Sequence, residues 1–176
     1  MHKVGLMENH LKSMKETTEK MMLLSKIQKI DLQFSNVDLF KQVNEIKENL
    51  EAQHGIQIEC NFNGNSIMQA DPLLMNIVWQ NMLSNSIKYR NQNVPIDITI
   101  KTFTSNGRFN IEYSDNGQGV KLSDQKPSVS RQFLLDAKSN KIGLTIIQSI
   151  VEKHNGNFII VNNANKGSTF IFQFPA

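Results

Sequence analysis

The sequence predicts an α+β fold, a two-layer α/β sandwich in which helices cover one face of a mixed, mainly antiparallel sheet. Two observations lead to this prediction. Helical spacing of apolar residues alternates along the chain with the every-second-residue pattern of strands. The chain has 176 residues, 39% of them hydrophobic, which is enough to bury one substantial core. The expected order is helix, helix, two strands, helix, two strands, loop, helix, two strands.

The first predicted element is a long N-terminal helix. From Leu6 to about Ile30 the chain contains neither proline nor glycine, and a seam of residues recurs at alternating spacings of three and four. The seam either pairs with another helix, in a dimer or in a segment outside this chain, or lies on the helix's own domain. Its members are Leu11, Met14, Thr18, Met21 and Ser25.

The next elements are a helix and two strands. Asp38 is a suitable N-cap for a helix over residues 39–54, and Gly55 is a suitable end for it. Beyond Gly55, "IQIECNF" alternates as a strand does, and "SIMQA" is a second short strand. Because "NGN" between them is typical of a turn, we expect these two strands to pair as a hairpin.

The second half begins with a helix that Asp71 caps, that has Pro72 in its first turn and that runs to about Arg90. "IDITIKTF" and "RFNIEYS" then alternate around "SNG" and predict a strand pair. Residues 118–141 are polar and weakly patterned, which predicts a loop. "GLTIIQSIVEKHNG" predicts a helix that its final Asn-Gly closes, and "NFIIVNN" and "STFIFQF" predict a terminal hairpin.

Composition excludes several classes of protein. The net charge is +3, the lysines are scattered and only 7% of residues are aromatic, so we expect no nucleic-acid binding. The single cysteine, Cys60, cannot form an internal disulfide, which fits a reducing compartment and predicts a cytoplasmic location. The apolar runs are far shorter than the about 18 residues of a membrane span, so we expect no membrane contact by this chain, whose parent protein could still be anchored.

One face of the third predicted helix carries an unusual polar stripe. At 100° per residue, Asn81, Asn85 and Lys88 lie within about 60° of one another. Such a stripe either meets water or lines a cavity. The opposite side is apolar and consists of Met75, Trp79, Met82 and Leu83.

Three further segments have residue types suited to a ligand. In "YSDNGQGV" a strand ends in a carboxylate, and the glycines allow the backbone to come close to a flat or phosphorylated molecule. Gly143 opens a helix whose N–H groups could hold phosphate oxygens. In "KGSTFIF" a glycine and two hydroxyl residues open the last strand. Each segment alone is common, but their joint order is specific.

In that order, "NMLSNSIKY", "DNGQGV", "IGLTIIQSIVEKHNGNFIIVNN" and "KGSTFIFQFP" resemble the motifs of the ATP-binding catalytic domain of sensor histidine kinases, members of the GHKL superfamily. The resemblance covers about residues 31–176 and implies the Bergerat ATP-binding fold. "EKMMLLSKIQKI" resembles the end of the second helix of the preceding dimerisation and phosphotransfer domain. Two units follow, with residues 1–30 as the C-terminal part of that helix and 31–176 as the catalytic domain.

The resemblance implies ATP and Mg²⁺ as cofactors. It implies that Asn85 coordinates Mg²⁺, Lys88 reaches a phosphate, Tyr89 borders the nucleotide and Asp115 accepts the adenine amine. An amide oxygen is a suitable hard ligand for Mg²⁺, and a carboxylate suits the amine of adenine. The other nucleotide-binding positions that the resemblance implies are Asn81, Gly117, Gly119, Val120, Gly143, Leu144 and Thr169.

Asn81 bears on the reaction. In related ATPases of the gyrase and mismatch-repair type this position is a glutamate that activates water, whereas an amide cannot act as a general base at neutral pH. The expected reaction is therefore transfer of the γ-phosphoryl group to a histidine, followed by transfer to a response regulator. The expected partners are the regulator, the dimerisation and phosphotransfer helices of the same parent protein, and a second copy in a possible homodimer.

The chain departs from the family pattern before Gly143. "SNKIGL" places Ser139 or Asn140 and Lys141 where glycines are usual, and the preceding phenylalanine-rich motif is reduced to Phe133, with Arg131 as the candidate arginine. These departures favour an alternative, a degenerate nucleotide-binding or scaffold module without phosphotransfer. An anti-sigma-type serine kinase or a GHKL hydrolase is a third reading, which the helical lead-in and Asn81 respectively disfavour.

The histidines of this chain do not match a phosphoacceptor. His2 and His10 lack the residues that follow the acceptor in the family, and we interpret both as exposed, with the acceptor outside this chain. His154 precedes Asn155 and Gly156 at a helix end, where a cation would interact favourably with the helix dipole. It has no neighbours in sequence that would complete a metal site.

Overall fold

The computed structural model describes residues 2–119, 142–162 and 167–176. Its helices are α1 (His2–Lys29), α2 (Leu39–His54), α3 (Pro72–Lys88) and α4 (Ile142–Lys153). Its strands are β1 (Ser35–Asp38), β2 (Ile58–Asn63), β3 (Ile67–Ala70), β4 (Ile96–Ser105), β5 (Arg108–Asp115), β6 (Asn157–Asn162) and β7 (Ser168–Pro175). The predicted α+β class is confirmed.

The main sheet has five strands in the order β2-β4-β5-β7-β6. β2 runs parallel to β4, and the other neighbours are antiparallel, so the sheet is mixed and mainly antiparallel as predicted. The β4–β5 and β6–β7 pairs confirm two of the predicted hairpins. A small second sheet joins β1 and β3.

The hairpin predicted for β2 and β3 is wrong. β2 pairs with β4, where Ile58 lies opposite Ile96, and β3 pairs with β1, where Met68 lies opposite Val37. β1 was not predicted as a strand, because "SNVD" lacks an alternating apolar pattern, and only Val37 of its four residues is buried. Apolar alternation identifies a strand but not its partner, and this turn leads from one sheet to the other.

The predicted helix starts follow from side-chain caps. The Asp38 carboxylate accepts a hydrogen bond from the backbone N–H of Lys41 at 3.2 Å, and Gly55 ends α2 with a φ of 62°. Asp71 Oδ1 accepts from the N–H groups of Leu73 and Leu74 at 3.0 and 3.1 Å, so α3 begins at the predicted position. It ends at Lys88, two residues before the predicted end.

The core lies between the sheet and helices α2, α3 and α4. The apolar side of α3 is buried as predicted, and the Trp79 ring contacts the edge of Phe172 with centroids 5.9 Å apart. α3 packs between α2 and α4, so its polar stripe lies along the boundary with α4. The buried residues that face α3 from the sheet include Ile98, Ile100, Ile111, Tyr113, Phe170 and Phe172.

The long helix α1 uses a different face from the predicted seam to contact the domain. Ile27 is fully buried against the core, and Lys153 of α4 donates a hydrogen bond to the Gln28 carbonyl at 3.3 Å. All five seam residues are exposed, with Leu11 and Met14 at 63% and 67%. Among the described residues, no helix combines the length and the apolar character that crossing a membrane requires.

Candidate functional site

The polar stripe of α3 lies against the first described turn of α4. Asn81 and Asn85 are half-buried, whereas Lys88 is exposed. A Cβ atom built on Gly143 would lie 3.0 Å from Asn81 Oδ1 and 3.8 Å from Asn85 Nδ2. Only a glycine allows this approach without a shift of Asn81. The fold thus brings together two of the sequence-predicted segments.

The two amides of the stripe differ in their hydrogen bonds. Asn81 Nδ2 donates to the carbonyl of Ile77, one turn earlier, at 2.8 Å, which fixes the orientation of the amide. The Asn85 side chain has no hydrogen-bond partner within residues 2–119, 142–162 and 167–176. Because the Asn85 side chain is partly exposed, its amide is open to solvent and to a ligand. Asn85 therefore retains its full capacity for a ligand.

The Leu144 side chain points into the hydrophobic core and is 7% exposed. Of the predicted nucleotide-binding residues of α4, Gly143 therefore borders the stripe through its Cα, and Leu144 can offer a ligand mainly its backbone. Val120 lies outside the described residues, as do Arg131, Phe133 and the departures at residues 139–141.

The Asp115 carboxyl group lies half-buried at the end of β5. Its Oδ1 accepts a hydrogen bond from the backbone N–H of Gly117 at 2.8 Å. Burial raises the pKa of Asp115, while the backbone hydrogen bonds from Gly117 and Ser168 act in the opposite direction. The effect of burial is the larger one, so the protein's own hydrogen bonds do not fully stabilise the charged carboxylate. A cationic or N–H donor on a ligand would stabilise it further.

The turn after β5 is attached to the end of α3. The N–H of Gln118 donates to the Tyr89 carbonyl at 2.9 Å, and the Gln118 amide donates to the Arg90 carbonyl at 3.1 Å. A Cβ atom on Gly117 would lie 2.8 Å from both the Tyr89 carbonyl oxygen and Asp115 Oδ1. Gly117 is therefore required by this close approach, and Gly119 by its φ of 78°.

Tyr89 and Lys88 lie at the solvent edge of the same region. Tyr89 caps α3 and its side chain is 43% exposed. The Lys88 ammonium group is 5.2 Å from the centroid of the Tyr89 ring, and none of the carboxylates in the described residues forms an ion pair with it. Both side chains are placed to contact a charged group that enters from solvent.

The start of β7 packs against the Asp115 turn. Thr169 and Ser114 lie side by side on neighbouring strands, with their hydroxyl oxygens 2.8 Å apart. Because side chains alternate along a strand, both point to the face of the sheet opposite the Asp115 carboxylate, so the predicted site residue Thr169 lies next to the site without facing it. Gly167 has a φ of 81°, and a Cβ atom there would overlap the Asp115 carbonyl oxygen. The predicted closing motif is therefore packed directly against the Asp115 turn.

Sequence reasoning missed several residues that shape this region. Asn116 connects the Asp115 turn to the start of β4, since its Oδ1 accepts from the N–H of Asp97 at 3.0 Å and its Nδ2 donates to the Pro95 carbonyl at 2.8 Å. The sequence "DNG" signals a turn, but it does not identify the segment to which the turn is bonded. The same is true of Gln118, whose partners lie 28 and 29 residues earlier in the chain.

His154 is a core residue, and the expected cation at the end of α4 is wrong. The ring is 3% exposed, its Nε2 accepts from the N–H of Asp71 at 3.0 Å, and its Nδ1 lies 2.8 Å from the Ile150 carbonyl. Because Nε2 accepts a hydrogen bond, the ring is neutral. No cluster of three metal-binding side chains of the histidine, cysteine or carboxylate type occurs within the described parts of the chain.

A mixed sheet covered by helices, an amide stripe facing a helix start, and an Asp-Gly turn beside them define an ATP-binding domain of the GHKL class. Residues 70–176, more than half of the chain, match the family described as histidine kinase-, DNA gyrase B-, and HSP90-like ATPase. The chain belongs to this family. The resemblance drawn from the motifs is confirmed.

Individual relatives agree with this assignment. The sensor protein RprX of Bacteroides fragilis is 24% identical over 99% of this chain, which spans 36% of the length of RprX. Acinetobacter baumannii histidine kinase AdeS has the same fold, with a TM-score of 0.72 and 16% identity over 95% of this chain and 80% of that one. Full-length ShkA, solved in complex with AMPPNP, aligns with a TM-score of 0.65 and 16% identity over 89% of this chain and 34% of its own.

Proposed function

We propose that this chain is the Mg·ATP-binding catalytic portion of a sensor histidine kinase. In this proposal it passes the γ-phosphoryl group of ATP to a histidine outside this chain, from which a response regulator takes it. One observation carries the proposal. Asn81 and Asn85 of α3 meet Gly143 of α4, and the end of the same helix α3 is bonded to the turn after Asp115. The side chain of Asn85, the proposed metal ligand, has no hydrogen-bond partner among the described residues.

The adenine would bind at the Asp115 end. A carboxylate that is half-buried and bonded to the N–H of Gly117 still has acceptor capacity for the exocyclic amine of adenine. Gly117 lets the turn pass against the Tyr89 carbonyl oxygen, where a side chain would clash, and so sets the position of the carboxylate. Ser168, which lies opposite Asp115 on β7, donates a backbone hydrogen bond to the same carboxylate. ATP should therefore bind more tightly than GTP, which has a carbonyl where adenine has its amine.

The phosphates would bind at the amide end. Asn85 Oδ1 is the proposed Mg²⁺ ligand, Lys88 is the proposed phosphate contact, and Tyr89 borders the nucleotide. The ion, when bound, neutralises charge on the phosphate oxygens, and it needs few protein ligands because it keeps waters and phosphates. The backbone at Gly143 lies next to Asn85 and is proposed to approach the phosphates with it.

The residue that favours transfer over hydrolysis is Asn81. Its Nδ2 already donates to Ile77, so its amide is held in one orientation with the oxygen toward Gly143. An amide oxygen cannot take a proton from water at neutral pH, so this position supplies no general base. Phosphoryl transfer depends mainly on positioning and on charge neutralisation, which the other residues of the site supply once an acceptor histidine is docked.

The proposed partners are helices that could cover the exposed face of α1. We propose that residues 1–30 form the C-terminal part of a dimerisation helix and residues 31–176 the catalytic domain. The exposed seam of α1, which includes Leu11, Met14 and Met21, would pair with the dimerisation and phosphotransfer helices of the same parent protein or with a second copy of this chain. The scattered charge and the single cysteine, Cys60, support a cytoplasmic location.

Binding of a fluorescent ATP analogue, measured with and without Mg²⁺, tests the nucleotide site. The expected result for the wild type is Mg²⁺-dependent binding, of which Asn85→Ala loses the Mg²⁺-dependent part. Gln80→Ala is the matched control, because Gln80 is an exposed amide on the same helix that bonds only to Asn76. No binding by the wild type at millimolar analogue would refute the proposal and favour the degenerate scaffold.

Phosphotransfer requires a second test. The chain is mixed with Mg·ATP and a dimerisation domain that carries an acceptor histidine, and acid-labile phosphate on that domain is measured. We expect label with the wild type and none with Asn85→Ala. Tight nucleotide binding without any label on the dimerisation domain would refute the proposed kinase activity, while the proposed nucleotide site would stand.

A further inference from the structure

A hydrogen bond between two buried side chains joins α3 to β5. Ser86 Oγ and the Tyr113 hydroxyl oxygen are 2.8 Å apart, and the two residues are 5% and 0% exposed. The Tyr113 ring also contacts the edge of Phe170 on β7, with centroids 6.2 Å apart. Two hydroxyl groups in an otherwise apolar layer depend on each other, since neither can turn to water.

The bond lies directly behind the proposed nucleotide site. Ser86 follows Asn85 in α3, and Tyr113 precedes Asp115 by two residues in β5. Residues two apart on a strand point to the same face, so the Tyr113 ring and the Asp115 carboxylate both project toward the helices. The hydrogen bond therefore links the helix that carries the proposed metal ligand to the strand that carries the proposed adenine acceptor.

A second link between the same two elements lies nearer the surface. There the N–H of Gln118 in the turn after β5 donates to the Tyr89 carbonyl at the end of α3. One attachment point would fix where the helix meets the strand, but two points, at Ser86 and at Tyr89, also fix its rotation. The rotation of α3 decides where the Asn85 amide lies relative to Asp115.

We propose that Ser86 and Tyr113 are positioning residues that hold Asn85 and Asp115 at the relative placement one Mg·ATP molecule requires. The inference rests on the proposed function. Neither residue contacts the ligand. A ligand that touches both ends of the site gains from a correct spacing, because its second contact forms within the complex already made by the first. A ligand that touches Asp115 alone gains nothing from this spacing.

Two ligands separate positioning from ordinary packing. Mg·AMPPNP reaches both ends of the proposed site, whereas adenosine reaches only the Asp115 end. Their dissociation constants are measured for the wild type, Ser86→Ala, Tyr113→Phe and the double variant, together with the thermal unfolding midpoint of each protein. The double variant has no buried hydroxyl left without a hydrogen-bond partner, so it should unfold near the wild-type midpoint. Each single variant leaves one hydroxyl unpaired and should unfold at a lower temperature.

We expect the double variant to bind Mg·AMPPNP about fivefold more weakly, the loss of one neutral hydrogen bond, and adenosine as the wild type does. Tyr113→Phe alone should show the same selective loss, so the test does not depend on the fold of the double variant. Thr102→Val is the matched control, because Thr102 is a buried hydroxyl residue that bonds to Asn65 in a distant turn. It should lower stability without changing the ratio of the two dissociation constants.

The outcomes distinguish this inference from the proposed function. If the wild type binds Mg·AMPPNP and the double variant binds it equally well, the positioning role is wrong and the proposed function stands. Equal weakening toward both ligands would also overturn it, since that result indicates a general loss of structure. Failure of the wild type to bind Mg·AMPPNP would overturn both.

Discussion

The two ends of the proposed nucleotide site are held in different ways. The Asp115 end is cross-linked by hydrogen bonds from its neighbours, among them those of Gly117, Gln118 and Asn116. At the other end the Asn85 side chain has no hydrogen-bond partner among the described residues, and the Lys88 ammonium group lies over the Tyr89 ring without an ion pair in the same part of the chain. A flat neutral base needs a preformed slot, whereas an ion and phosphates bring their own charge and ligands. We infer that the protein preorganises the adenine end and that the ligand completes the phosphate end.

Gly117→Ala should have the largest effect on binding, because the substitution distorts the preformed adenine end of the site. The added methyl group would lie 2.8 Å from the backbone oxygen of Tyr89, which cannot move away without loss of the Gln118 hydrogen bond. We expect a loss of about 2 kcal/mol in unfolding free energy and about thirtyfold weaker binding of ATP and of adenosine alike. Calorimetric titration and denaturant unfolding measure the two effects.

Gly107→Ala controls for lost stability alone. Gly107 has a φ of 68° in the turn between β4 and β5, at the far end of β5 from Asp115, and an added Cβ would meet no atom within 4 Å. We expect this variant to be destabilised by backbone strain and to bind ATP normally. Weaker ATP binding by Gly107→Ala would mean that general destabilisation explains the Gly117 result.

Asp115→Asn should weaken ATP binding about tenfold, since a charge-assisted hydrogen bond to the adenine amine becomes a neutral one. It should also stabilise the protein without ligand at neutral pH, because burial disfavours the ionised Asp115 carboxylate and the amide has no charge to desolvate. The two opposite effects are measured as a dissociation constant and an unfolding midpoint. A variant that loses both affinity and stability would contradict this role for the carboxylate.

The pH dependence follows from the raised pKa of Asp115. A carboxyl group that binds its proton more tightly in the folded state stabilises the fold at low pH, and this contribution is lost as pH rises from its unfolded pKa through the raised folded pKa. ATP affinity should change in the opposite direction, falling as pH drops through the raised pKa, because only the carboxylate accepts the amine without competition. Titration of Asp115→Asn over the same range should show neither trend.

Gly143→Ala should have the smallest effect, about threefold on Mg·AMPPNP affinity and none on adenosine. The new methyl group would lie 3.0 Å from Asn81 Oδ1, a side-chain atom that can move by a few tenths of an ångström. Alanine also favours the helix by up to about 1 kcal/mol, so the unfolding midpoint should rise. Weaker adenosine binding by this variant would contradict the inference that Gly143 acts only at the phosphate end of the site.

The difference between the two ends of the site also explains which site residues the sequence could predict. Asn81, Asn85 and Gly143 are recognisable because helical spacing and a helix start place them, and the structure brings them together. The attachments of the Asp115 turn were not predictable, since Gln118 and Asn116 bond to segments remote in sequence. The spacing of apolar residues shows whether a segment is a helix or a strand, but it does not show which other segment that helix or strand contacts.

Strand pairing shows the same limit in the fold. Alternation identified β2 and β3, but their partners are β4 and β1, and β1 has one buried residue, Val37, to reveal it. The Ser86–Tyr113 hydrogen bond was equally hidden, because a serine on a helix and a tyrosine on a strand are ordinary in their own elements. In both cases the information lies in contacts between distant segments.

The most direct test replaces Mg²⁺ with paramagnetic Mn²⁺ and follows the side-chain amide resonances of α3 by NMR in the presence of ATP. At a low ratio of Mn²⁺ to protein we expect ATP-dependent broadening that is strongest at the Asn85 amide, weaker at Asn81 and weakest at Gln80 on the exposed flank of the helix, because the effect falls steeply with distance from the ion. Broadening under these conditions that spares Asn85, or that is stronger at Gln80 than at Asn85, would contradict the placement of a metal and triphosphate against this stripe.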